Sequence, residues 1–142
     1  PVRLLDMGAP RYMVALSLQL VIAQRLVRVV CDNCAEEYVP LPGEHEWLKS
    51  ELGDAVDSHR YRHGRGCSYC NNTGFVGRTG VYEMLEMTRP VVEAANQDDL
   101  GRLMKVAREQ IGRATLRHHA AGLAASGRTS PDEAMRVSSQ LE

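Results

Sequence analysis

The sequence predicts an α+β chain, mainly helical, built around a tetracysteine metal subdomain. Three observations lead there. The cysteines come as two pairs, Cys31-Asp32-Asn33-Cys34 and Cys67-Ser68-Tyr69-Cys70, each with two residues between its sulfurs. Residues 71–80 carry Gly74, Gly77 and Gly80 at regular intervals and lead into a β-type run over 81–87. Beyond that run, apolar residues recur at helical spacing between capping residues.

Taken in order, residues 2–7 read as the end of a helix stopped by Gly8. Pro10 can open the next helix, expected from Pro10 or Arg11 to Val29. Its apolar stretch over 13–23 is shorter than the ~20 residues of a membrane span, so a buried helix is expected. Residues 31–38 give a first knuckle and its exit strand. Pro40-Leu41-Pro42-Gly43 reads as a rigid turn. A helix is expected over 44–52, with Trp47, Leu48 and Leu52 inward, and 54–65 reads as polar and irregular. Residues 71–80 suggest a turn and a short hairpin, followed by a strand over 81–87.

The remainder reads as helices with recognisable ends. Thr88 is expected to cap 90–96. Asp98 is expected to cap a helix whose Leu100, Leu103, Met104, Ala107 and Ile111 share a face until Gly112. That stripe suits a core face or a partner groove. Thr115 starts a helix with Leu116, Ala120, Leu123 and Ala124 on one face, stopped by Gly127. Ser130-Pro131-Asp132-Glu133 has the form of a capping box, opening a last helix through Val137.

Composition narrows the function classes. The 142 residues make about one domain, and a net charge of −1 gives no bulk field to draw nucleic acid or acidic lipid. Aromatic residues are scarce, so the core must be aliphatic. The sequence begins Pro1-Val2-Arg3 without an initiator methionine and shows no secretory signal, as expected of a piece of a longer cytoplasmic protein. Reduced, metal-binding thiols suit that compartment.

A CxxC turn points both thiolates at one ion, and two such turns complete a tetrahedron. Cys31, Cys34, Cys67 and Cys70 are therefore read as one structural Zn2+ site. Four thiolates leave no open position for catalysis. Two disulfides, a redox dithiol and an Fe–S cluster are the alternatives. His59 and His63 lie near enough in sequence to substitute as ligands.

The residues around the cysteines are more specific. AQRLVRVVCDNC over 23–34 and GCSYCNNTGFVGRTGVYEML over 66–85 resemble the C-terminal part of the type II secretion and type IV pilus assembly ATPases. The R-L-x-D-M-G phrase at Arg3–Gly8, the G-x-x-T-L-R phrase at Gly112–Arg117 and the G-x-T-[ST]-x-[ED]-E phrase at Gly127–Glu133 extend that resemblance. It covers nearly the whole chain and is weakest over 40–61.

The resemblance implies the end of a RecA-like ATPase domain at 1–30, a tetracysteine zinc subdomain with a short β-hairpin at 31–80, and a strand with C-terminal helices at 81–142. It implies a parent enzyme that binds ATP and Mg2+ and assembles as a homo-hexamer at the cytoplasmic face of the bacterial inner membrane. There it would act on an inner-membrane platform protein, with no nucleic acid and no transmembrane segment of its own. It also implies a peripheral nucleotide contact for Arg78, in the Gly77-Arg78-Thr79-Gly80 loop. The alternative for Arg78 is an ion pair with Glu83. Arg25 and Arg28 suit either a neighbouring subunit or local pairing.

No G-x-x-x-x-G-K-[ST] phrase is present, because neither Lys49 nor Lys105 follows a glycine. The chain alone is thus not expected to hydrolyse ATP, and no catalytic residue is assigned to it. A zinc-ribbon module for nucleic acid or protein is the competing reading, but it lacks a basic stripe interleaved with aromatic residues.

Overall fold

A computed structural model describes residues 2–139. About half of them are helical, and the strands form two small two-stranded sheets, β1 with β4 and β2 with β3. The chain divides into two compact units, Pro1–Ala23 with Glu83–Ala114, and Gln24–Tyr82 with Thr115–Glu142.

The first unit contains α1 (Val2–Asp6), α2 (Arg11–Ser17), the start of β1 (Leu20–Val30), the end of β4 (Phe75–Glu86), α4 (Arg89–Asn96) and α5 (Leu100–Ile111). Gly8, with φ of 87°, ends α1 as expected. The long helix expected over 10–29 is not formed. Leu18 turns extended at φ −74° and ψ 129°, and the chain continues as β1. The reason is the density of β-branched residues, Val21, Ile22, Val27, Val29 and Val30, which fit a pleated ribbon better than a helix.

Helix α2 packs on α4, and α4 on α5. Val14, Leu18, Val21, Leu85, Leu103 and Ala107 line an apolar cavity of about 270 Å³ inside this unit. Ala107 is buried, while Leu100 and Met104 are exposed, so the expected α5 stripe is only partly core. Asp99, not Asp98, caps α5 by accepting from the Arg102 amide at 3.0 Å. Asp98 instead pairs with Arg11 at 2.7 Å. Thr88 precedes α4 without a capping bond, and its hydroxyl donates to the Gln110 amide oxygen. No helix among the described residues is long and apolar enough to cross a membrane.

The second unit holds β2 (Ala35–Tyr38), α3 (Pro42–Leu52), a 3₁₀ turn (Gly53–Ser58), β3 (Tyr61–Gly64), α6 (Leu116–Ala125) and α7 (Pro131–Ser139). Its core joins Val27, Leu48, Val56, Tyr61, Val81 and Leu116 to the alanines of α6 and α7. Helices α6 and α7 pack on each other through Ala120, Ala121, Ala124 and Ala134, all buried. Small side chains let the two backbones approach. Trp47 and Leu52 face this core as expected, partly buried. The segment expected to be irregular over 54–65 instead supplies β3, which pairs antiparallel with β2 from Ala35 opposite Gly64 to Tyr38 opposite Tyr61.

The hairpin expected over 71–80 is also absent, because Phe75–Glu86 is one continuous strand whose partner is β1. In the second unit Cys31 donates its amide to Gly74 O at 2.9 Å, and in the first Met87 donates to Gln19 O at 2.9 Å. The two strands therefore run antiparallel. Within β4, Gly77 holds φ of 75°, a left-handed conformation open to glycine.

Candidate metal centre

The site is assembled from the end of β1 and two tight turns. Cys31 follows Val30 directly, and the Cys34 amide closes the first knuckle on Cys31 O at 3.2 Å. The second knuckle is closed by the Asn72 amide on Cys67 O at 2.8 Å and the Thr73 amide on Cys70 O at 3.1 Å. Asn71 and Asn72 hold φ of 52° and 59° to make that reversal. Asparagine tolerates the left-handed region better than most side chains.

The four sulfurs lie within 4.8 Å of one another. Cys31 and Cys67 are 3.9 Å apart, Cys34 and Cys70 3.8 Å, and Cys67 and Cys70 3.7 Å. A tetrahedron of Zn–S bonds of about 2.3 Å has edges of about 3.8 Å. The donor set therefore fits a four-coordinate thiophilic ion. No disulfide joins the four cysteines in this structure. The two nearby histidines stay outside the group: His63 stacks obliquely on Tyr38 at 5.0 Å, and His59 meets Tyr61 edge-on at 6.3 Å.

Backbone amides prepare the thiolates. Gly66 donates to Cys34 Sγ at 3.3 Å, and Cys70 Sγ accepts from Cys67 at 3.2 Å and Gly74 at 3.3 Å. Burial pushes the Cys34 thiol up to about 12, only partly offset by the Gly66 amide. Burial acts the same way on Cys70, but the Cys67 and Gly74 amides outweigh it and bring the thiol down to about 6.

The knuckles meet through a pair of glycines. A Cβ on Gly64 would lie 2.0 Å from Gly74 O, a backbone atom that cannot swing aside. Gly64→Ala is expected to destabilise the chain by about 1–3 kcal/mol through overpacking and to weaken metal binding. Thermal melts and competition with a zinc chelator check both effects. Gly43→Ala, with open space around it, is the neutral comparison. A Gly64→Ala protein that melts and binds metal like the parent would contradict this packing.

Arg28 resolves in favour of local pairing. Its guanidinium lies 2.7 Å from Glu133 and 4.1 Å above the Phe75 ring. Glu133 also accepts the Arg28 amide at 3.1 Å and pairs with Arg136 at 2.7 Å. Glu133 thus does not complete the expected capping box, and the buried Ser130 hydroxyl has no hydrogen-bond partner among the described residues. Sequence reasoning missed this cluster because its partners are far apart along the chain. It also missed Gly64, Gly66 and Gly74 as packing and donor residues, although their placement beside the cysteines was the available signal. Arg78 is exposed, next to Gly77, and no ion pair is seen for it among the described residues.

A sequence profile described as type II/IV secretion system protein matches residues 1–136. The type II secretion system protein E of Dickeya dadantii is 32% identical over 140 residues, covering 97% of this chain and 26% of that protein. The type II secretion system ATPase E of Vibrio cholerae is 32% identical over 141 residues, covering 97% of this chain and 27% of that one. The type IV pilus assembly ATPase PilB of Pseudomonas aeruginosa is 34% identical over 102 residues, covering 69% and 18%. The chain spans about a quarter of the length of the curated relatives it matches from end to end.

Proposed function

The chain belongs to the type II/IV secretion system protein family, and from that membership we propose that it is the zinc-bearing C-terminal part of a hexameric, RecA-like ATPase driving type II secretion or type IV pilus assembly. The observation that carries this reading is the alignment of 97% of the chain to a protein named as a type II secretion ATPase, of which it spans 27%. Cys31, Cys34, Cys67 and Cys70 hold Zn2+ as a structural clamp, since four thiolates exclude a substrate position. The clamp fixes the start of β4 against the end of β1.

ATP and Mg2+ bind in the remainder of the parent enzyme, which supplies the P-loop. Arg78 reaches toward that nucleotide. In support, it is exposed, has no carboxylate partner among the described residues, and follows Gly77, which holds φ of 75° in mid-strand. The parent works as a homo-hexamer at the cytoplasmic face of the inner membrane, acting on a platform protein.

ATP turnover tests the reading. The 142-residue chain should show none, and the full-length parent should hydrolyse ATP. Arg78→Ala in the parent should raise KM for ATP on the order of tenfold, the loss of one charge-assisted hydrogen bond, with kcat less affected. A parent without nucleotide turnover would sink the ATPase reading. An unchanged KM in the variant would sink only the role of Arg78.

A further inference from the structure

The four thiolates are not equivalent. Cys31, Cys34 and Cys70 are only 1%, 6% and 5% exposed, whereas Cys67 is half-buried. Cys34 and Cys70 accept backbone N–H donors. Among the described residues, Cys67 Sγ accepts no N–H donor and meets only the sulfurs of the other three cysteines. An N–H bond stabilises thiolate charge and makes the sulfur a poorer nucleophile, and burial keeps a reagent away. Cys31 lacks a donor too, but it is buried. Cys67 alone combines access with an unshielded sulfur, at a turn whose Ser68 and Tyr69 are exposed.

We infer that Cys67 is a modification site, the first thiolate of the cluster to react with a peroxide, and that it then closes a disulfide to Cys70. The Cys67 thiolate attacks one peroxide oxygen and breaks the O–O bond. This leaves a sulfenic acid on Cys67 and a hydroxide that takes a proton from solvent. The Cys70 thiolate, 3.7 Å away, then attacks Cys67 Sγ. The S–S bond forms as the C–S–O linkage loses hydroxide, which also leaves as water. Two thiolates are oxidised by two electrons, and one peroxide is reduced to two waters. The ion loses two of its four ligands and is released. The metal-release step rests on the zinc reading above, while the order of thiol reactivity belongs to the polypeptide itself.

The test is a titration of the purified 142-residue chain with hydrogen peroxide. Zinc release is followed with a metal-sensitive dye, and oxidised and alkylated cysteines are mapped by peptide mass. Cys67 is expected to react on the order of tenfold faster than the other three, the factor one hydrogen bond to a charged acceptor supplies. The Cys67–Cys70 disulfide should accumulate in step with zinc release. A first disulfide between Cys31 and Cys34, or four cysteines reacting at one rate, would overturn the inference. A chain isolated without zinc would refute the metal reading, and the same map would still decide whether Cys67 leads.

Discussion

Stripping the metal with a strong chelator is expected to release one zinc per chain and to open both knuckles. Amide hydrogen exchange should accelerate over 31–35 and 64–75, where the turns rest on bonds around the sulfurs. Structural zinc in peptide models contributes about 10–16 kcal/mol of apparent binding energy, comparable to the stability of a whole domain at about 5–15 kcal/mol. The melting temperature should therefore fall by at least ~10 °C. Leu48, Val56 and Tyr61, between the two cysteine pairs in sequence, are packed into the aliphatic core. Helix α3 should consequently keep its slow exchange at low temperature after the knuckles have opened. Cys34→Ser should reproduce the result without chelator. A metal-free chain with unchanged melting and exchange would contradict the clamp.

The second large effect is expected at Glu133. Its side chain is fully buried and receives Arg28, Arg136 and the Arg28 amide. Burial pushes its pKa up, but these bonds win and hold it at about 2, against an ordinary value of 4.5. A carboxylate with a lowered folded-state pKa contributes stability above its unfolded pKa and loses it as pH falls toward the folded value. The depression corresponds to about 3 kcal/mol. Glu133→Gln should thus cost about 3 kcal/mol at neutral pH, or about 10 °C in melting temperature. The cost should shrink as pH falls from about 4.5, and the two proteins should converge near pH 2. A constant difference across that window would show that shape, not charge, holds α7 to β1.

The parts legible in the sequence were those with local signals. Gly8, Gly112, Thr115 and Gly127 mark helix ends through their own backbone or side-chain chemistry, and the structure keeps all four. The cysteine pairs are legible because ligand spacing is local too. Strand β1 was not. Leu20, Ile22 and Leu26 on its outer face are exposed, while Val21 and Val27 face inward. With apolar residues on both faces, the alternation that announces a strand disappears, and Gln24 and Arg25 favour a helix. Glu133 failed for the opposite reason. Its local spacing satisfied a capping rule, but Arg28, 105 residues away, offered a stronger partner.

The division of the chain has a practical bearing on how it can be cut. The polypeptide passes between its two units at Ala23–Gln24, Tyr82–Glu83 and Ala114–Thr115. No single truncation therefore isolates either one. A protein beginning at Gln24 would still carry α4 and α5 but would lack α2, against which α4 packs. Separating the zinc-bearing unit requires excising Glu83–Ala114 and joining Tyr82 to Thr115 through a designed linker. Proteolysis within the 83–114 segment should leave two pieces held together by their folded contacts, visible as one species until denatured.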